Sequence, residues 1–225
     1  LAICKDRDDT HFYETPTGAI YPSITTVLNK TKSKESKLSL EQWRNNEPHH
    51  EYIMKQSGRI GIETHAMIER YFRGEKESEP HLFARAHFSN LLPYISNISV
   101  VYGSEIALFS DEFRVAGTAD LVCLYRGMPT IIDFKTKRSS QRLEWLEDYF
   151  IQGTFYAKAF EERTGKKIPQ VLILVSTESG SRQEFIVNVS DYSDKLLQRI
   201  KQYFELETPP DVSESLLKRT DLLDE

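Results

Sequence analysis

The chain has 225 residues, with 34 acidic against 29 basic side chains and a formal net charge of −5. That length supports one substantial domain with its own core, and the negative balance argues against a protein that coats nucleic acid by bulk electrostatics. No long apolar run and no charged-then-hydrophobic leader pattern is present, so a soluble chain without a membrane partner is expected. Cys4 and Cys123 are the only cysteines. A structural disulfide is not expected, and two thiols fall short of the four that an iron-sulfur cluster usually takes, so no cluster is expected either.

In chain order, the first twenty residues read as a small β-turn-β entry around Pro16-Thr-Gly18. Ser23 is placed to cap a short helix through Leu28, and its hydroxyl could equally bond a phosphate, as could Thr25. Helices follow over Leu38–Asn45, Tyr52–Phe72 and His81–Tyr94, the last ending near Pro93. Gly58 and Gly61 are costly inside a helix and point to a close approach by another element. From Val100 the period becomes strand-like: Val100–Phe109, Phe113–Tyr125 and Thr130–Phe134 read as an antiparallel meander. A helix over Leu143–Arg163, strands over Val171–Ser176 and Phe185–Val189, and a helix over Tyr192–Leu206 complete the order. A mixed sheet flanked by helices, an α/β (α+β) class, is the simplest packing for it.

The stretch from Gly117 to Lys135 carries the chemistry. Gly117-Thr-Ala-Asp120 opens one strand, and Pro129-Thr-Ile-Ile-Asp133-Phe-Lys135 forms the next, across an Arg126-Gly127 turn. Side chains alternate along a strand, so Asp133 and Lys135 emerge together while Phe134 turns into the core. Two carboxylates and an ammonium suit phosphodiester hydrolysis assisted by a hard divalent cation. An Asp-x-Lys pair at a strand end is also a common surface salt bridge of little energetic worth. Basic residues bunch at Lys135, Lys137, Arg138 and Arg142, beside this hairpin, where a substrate phosphate would lie. A second bunch at Lys30, Lys32, Lys34 and Lys37 reads as a solvated loop.

Taken in order, Gly61-x-x-x-His65, Glu105, Gly117-Thr-Ala-Asp120, Asp133-Phe-Lys135-Thr136 and Gln152-x-x-x-Tyr156 resemble the RecB-type branch of the PD-(D/E)xK nuclease superfamily. Tyr21-Pro-Ser23-Ile-Thr25 and Leu40-Glu-Gln-Trp43-Arg are similar to the mitochondrial genome maintenance exonucleases and their phage and bacterial relatives. The resemblance covers roughly residues 20 to 190. It implies a restriction-endonuclease-like core over 98–207, an N-terminal β-turn and helical cap or arch over 1–97 that carries the His65 helix, and a tail over 208–225. It further implies that His65, Asp120, Asp133 and the Phe134 carbonyl bind metal and that Lys135 is catalytic. Glu105 matches the strand-borne acidic position, as a ligand or a charge partner. Thr136, Gln152 and Tyr156 would meet the substrate or support the lysine.

Each of these residues also has a plainer reading. His65 on an amphipathic helix could bond Glu69 one turn away, and Gln152 and Tyr156 could be core and rim. A zinc helix would need a second histidine that the sequence lacks, which leaves a zinc hydrolase as a weak third alternative. Oxygen ligands with one imidazole favour Mg²⁺ or Mn²⁺, as one ion or as two about 3.5–4 Å apart. The expectation is therefore a metal-dependent exonuclease on single-stranded DNA with a free end, leaving 5′-phosphate and 3′-hydroxyl products as the resemblance implies. Trp43, Tyr52, Tyr71 and Phe72 are candidates for base stacking or for core. The alternatives are a structure-specific or flap endonuclease of the same fold, or a non-catalytic DNA-binding scaffold. A monomer working in DNA replication or repair beside replication or recombination proteins is expected, in a phage or bacterial cytoplasm or a mitochondrial matrix.

Overall fold

The two-residue turn at Arg126-Gly127 starts the main sheet. The computed structural model describes residues 3–7, 10–75 and 81–207, with side chains for 11–75 and 81–207. Strands β5 (Val115–Tyr125) and β6 (Met128–Lys137) leave the turn with Tyr125 opposite Met128. Arg126 and Gly127 both have positive φ, 48° and 80°, the backbone that matches a tight hairpin to strand twist. Strand β4 (Ile98–Ser110) pairs antiparallel with β5, β7 (Gln170–Thr177) pairs parallel with β6, and β8 (Arg182–Asn188) pairs antiparallel with β7. The resulting order is β4-β5-β6-β7-β8, the mixed sheet expected from the sequence. A smaller sheet of β1 (Ile3–Arg7), β2 (Thr10–Glu14) and β3 (Ile20–Pro22) packs Tyr13 and Tyr21 near Ala107, Phe109 and Ala116.

Parallel pairing of β6 with β7 requires a crossover. A 3-10 turn, Leu143–Leu146, and helix α5 (Glu147–Thr164) supply it, where the sequence reads as one unbroken helix. Helices α1 (Ile24–Lys30) and α6 (Val189–Glu207) join α5 in one apolar cluster with Val122, Ile131, Val171 and Ile173 of the sheet. On the other face, α3 (His50–Arg73) and α4 (Leu82–Ile95) bury Met67, Ile68, Phe88 and Leu91 against Leu121, Ile132, Phe134 and Leu174. Alternation along β6 is thus visible in the core: Ile131 joins one cluster and Ile132 the other. Pro93 lies inside α4, which runs on to Ile95. Helix α2 (Lys34–Asn46) has no buried residue. Among the described residues, no helix is long and apolar enough to cross a membrane. The segment after Pro209-Pro210 lies outside the described residues.

Every residue of α5 from Phe150 to Ala157 is buried, so its distance from the sheet is set by its smallest side chain. A Cβ added at Gly153 would stand 2.4 Å from Cγ1 of the fully buried Val171. A β-branched neighbour in a packed core has little freedom to yield. Gly58 and Gly61 do not mark the tight approach expected of them: a Cβ at Gly58 meets nothing within 4 Å, and one at Gly61 meets only Thr136 Oγ1 at 3.5 Å. Gly153→Ala is therefore expected to lower stability by about 1–3 kcal/mol through overpacking. Gly58→Ala, in open space within α3, is expected to raise it by about 0.5–1 kcal/mol. Thermal melts of the two variants should shift in opposite directions.

Candidate active site

The β5–β6 ladder runs from Tyr125 and Met128 to Leu121 and Ile132 and then stops, while β6 continues beside β7 as far as Lys137. Past Ile132 the β6 backbone therefore faces a gap, and its polar groups need other partners. Asp120 Oδ2 accepts the N–H of Phe134 at 2.8 Å. His65, reaching across from α3, places Nε2 3.0 Å from the Phe134 carbonyl oxygen. A carbonyl only accepts, so Nε2 carries the proton of that bond.

The other imidazole nitrogen turns to the carboxylates. Nδ1 of His65 lies 3.5 Å from Glu105 Oε1 and 3.6 Å from Asp120 Oδ2. Glu105 sits between the pairs Ser104–Leu121 and Ile106–Ala119, across from Asp120, and its φ is +47°. A left-handed backbone is uncommon for a non-glycine residue inside a strand and needs surroundings that hold it. His65, Glu105 and Asp120 offer ligand atoms that all lie within 4.8 Å of one another. Glu69, the alternative partner for His65, is paired instead with Arg73 at 2.5 Å.

Asp133 and Lys135 form the second half of the site. Lys135 Nζ lies 2.8 Å from Oδ1 and 2.7 Å from Oδ2 of Asp133, which is only 2% exposed. The Oδ1 contact has hydrogen-bond geometry, while Oδ2 is close to the ammonium but lacks it, and remains a buried acceptor without a hydrogen bond. The two carboxylates and one imidazole of Glu105, Asp120 and His65 fit a hard divalent cation, whereas Asp133, expected from the sequence as a ligand, lies outside that group and is ion-paired to Lys135. Burial pushes the Asp133 carboxyl above its usual range, with the charge of Asp120 adding and Lys135 opposing. Burial alone would lower the Lys135 ammonium, but Asp133 and Asp120 outweigh it and raise it.

Gln152 Nε2 donates to the Tyr156 hydroxyl at 2.9 Å, and both side chains are buried. Burial, with the charges of Asp120 and Asp133 adding, holds the Tyr156 phenol well above its usual value. Gly117 accommodates its ring: a Cβ there would fall 2.8 Å from Tyr156 Cε1. Thr136 shares a small recess with Ser57, His87, Lys137 and Arg138. Ser23 caps α1, accepting from Thr26 N at 3.0 Å, and is buried. Of the aromatic candidates, Tyr52 and Tyr71 are exposed, Trp43 sits on unburied α2, and Phe72 packs on the core.

Tyr149, a further residue at the site, has no motif in the sequence that marks it. Its ring centroid lies 4.7 Å from Lys135 Nζ, and its hydroxyl accepts from Lys137 Nζ at 2.7 Å. The available signal was helical spacing, since Tyr149, Gln152 and Tyr156 fall on one face of α5.

These features coincide with a family assignment. A model of the PD-(D/E)XK nuclease superfamily matches residues 28–214. The chain belongs to that superfamily. Human Mitochondrial genome maintenance exonuclease 1 is 24% identical over 209 residues, which cover 83% of this chain and 59% of the human protein. This chain thus spans less than two thirds of that relative. A crystal structure described as "Putative exonuclease" from Eubacterium rectale is similar at 18% identity and a TM-score of 0.43, covering 68% of this chain and 70% of its own.

In the metal-free protein burial would lower the His65 imidazole, but the negative charge of Asp120 and the hydrogen bond that the imidazole donates to Glu105 outweigh burial and raise His65 from 6.5 to about 9. A histidine whose folded pKa is raised stabilises the fold fully below its unfolded value and loses that contribution as pH rises through the folded one. The metal-free protein should therefore lose melting temperature between pH 6.5 and about 9. His65→Gln should flatten that decline in melts recorded with EDTA present.

Proposed function

We propose that the chain is a divalent-metal-dependent deoxyribonuclease that degrades single-stranded DNA from an end. The observation that carries this reading is the meeting of the His65–Glu105–Asp120 cluster with the buried Asp133–Lys135 pair where β5 and β6 part. His65 Nδ1, Glu105 and Asp120 would hold Mg²⁺ or Mn²⁺, with Asp133 Oδ2 as a further oxygen. The Phe134 carbonyl keeps the His65 ring in one tautomer through Nε2, a second layer of support that metal-bound histidines commonly use. When bound, the ion supplies Lewis acidity and makes water a nucleophile at neutral pH.

The protein's own groups do the remaining work. Lys135, held by Asp133 against the ring of Tyr149, presents a fixed positive charge to the phosphate as negative charge accumulates on its oxygens. The Gln152–Tyr156 pair holds the ground beneath the carboxylates, and Thr136 stands at the rim to meet a neighbouring phosphate. Of the expected front section, α1, α4 and the second half of α3 pack on the sheet as part of the core, while α2 and the first half of α3, without buried side chains, form an arm beside the cleft lined by Gly61, Ile62, His65 and Glu105. An arm of that kind would admit a single strand and exclude a duplex, which supports the single-strand preference. Products with 5′-phosphate and 3′-hydroxyl ends belong to the same reading.

End-labelled linear single-stranded DNA, circular single strands and duplex, each in Mg²⁺, Mn²⁺ and EDTA, test it. Linear strands alone should be degraded, only with metal, and Asp133→Ala or Lys135→Ala should slow degradation by about 100-fold or more. Cleaved circles would make the protein an endonuclease, and DNA binding without turnover would make it a scaffold.

A further inference from the structure

Three alternating residues of β6, Asp133, Lys135 and Lys137, share one strand face. Lys135 is neutralised by Asp133. Lys137 differs: it is half-buried, and among the described residues no carboxylate forms an ion pair with it. The nearby Glu178 carboxylate lies instead 4.0 Å from Arg138. The backbone of Lys137 is fixed, since its carbonyl accepts from Glu178 N at 3.0 Å and it pairs with Thr177 in the β6–β7 ladder.

Its ammonium is fixed as well. Lys137 Nζ donates to the Tyr149 hydroxyl at 2.7 Å and lies 4.9 Å from the centroid of the same ring, whose centroid is 4.7 Å from Lys135 Nζ. One half-buried aromatic side chain thus holds Lys135 by its ring and Lys137 by its hydroxyl. Because the phenol oxygen accepts from Lys137, its own proton is left to donate elsewhere. Lys137 likewise keeps two N–H groups. A fixed, uncompensated ammonium and a phenol O–H side by side form an anion-recognising pair, one strand step from the lysine proposed to act on the scissile phosphate.

We propose that Lys137 and Tyr149 form a second phosphate subsite, which holds the backbone phosphate of the nucleic acid next to the one being cleaved. The subsite rests on the nuclease reading above. Holding an adjacent phosphate fixes the strand in register with Lys135, and Tyr149 reduces the freedom that a lysine otherwise loses on binding. Tyr149 is a positioning residue for Lys135 and a contact residue for the strand.

The 225-residue chain and fluorescein-labelled single-stranded DNA, followed by anisotropy in EDTA over a range of salt, read the subsite without turnover. Lys137→Ala should raise Kd roughly tenfold, as expected for a lost hydrogen bond to a charged group. It should also reduce the slope of log Kd against log salt by about 0.7, the contribution of one phosphate contact on a single strand. Tyr149→Phe should weaken binding on its own and add little to Lys137→Ala, and Lys137→Arg should restore the slope. An unchanged slope in Lys137→Ala, additive effects of the two substitutions, or a wild-type chain that binds no single strand would each overturn the subsite. Wild-type protein that binds with the expected slopes but cleaves nothing in Mg²⁺ or Mn²⁺ would overturn the nuclease reading, and with it the place of the subsite beside a cleaved phosphate, and leave Lys137 and Tyr149 as a phosphate contact of a binding protein. Melting curves of the same variants separate a binding defect from loss of fold.

Discussion

Where β5 and β6 separate after Leu121 and Ile132, the N–H and C=O of Phe134 lose the ladder partners that the rest of the hairpin supplies, and both groups have to be satisfied from side chains. Asp120 takes the N–H and His65 takes the carbonyl. A buried backbone group without a partner costs as much as a lost hydrogen bond, so these two side chains are positioned by the same requirement that holds the sheet together. The rest of the site follows from their placement. Glu105 enters across from Asp120 on β4, with its unusual backbone, and Asp133 and Lys135 emerge on the opposite face from Phe134.

Electrostatics explains why such a cluster is stable before any cation binds. Asp120, Glu105 and Asp133 would repel one another in a partly buried space, but His65 and Lys135 lie among them as cations. The raised His65 and Lys135 are consequences of that arrangement, whereas the Asp133 carboxyl is raised mainly by burial, against the pull of Lys135. A buried ion pair is weak evidence for stability, since desolvation offsets the attraction. Its placement in a nuclease-family chain, just past the end of the β5–β6 ladder, is better explained by the charge it presents than by any gain in folding energy.

Much of this was legible in the sequence because it depends on local rules. The Arg126-Gly127 turn, the alternation that puts Asp133 with Lys135 and Phe134 in the core, and the Ser23 cap all follow from turn chemistry and side-chain period. The ordered motifs that resembled RecB-type nucleases pointed to the superfamily that the chain belongs to. Other features were not local. Glu105 has a left-handed backbone inside β4, and neighbouring residues carry no sign of it. Tyr149 reaches Lys135 and Lys137 only because α5 lies close on the sheet, a distance controlled by Gly153 against Val171. Gly58 and Gly61 were misleading for the converse reason: glycine in a helix signals a close approach only where another element arrives, and none crowds Gly58.

The parting of β5 and β6 brings His65, Glu105 and Asp120 together as residues that would hold a metal ion. Calorimetric titration of Mn²⁺ into the metal-free chain and into Glu105→Gln tests it most directly, because this carboxylate belongs to the cluster but takes no part in the hairpin or in the Asp133–Lys135 pair. Glu105→Gln should keep its fold and lose Mn²⁺ affinity by roughly tenfold or more, at least the cost of disturbing a ligand's support. Equal Mn²⁺ binding by the two proteins would contradict it and move the metal centre away from Glu105.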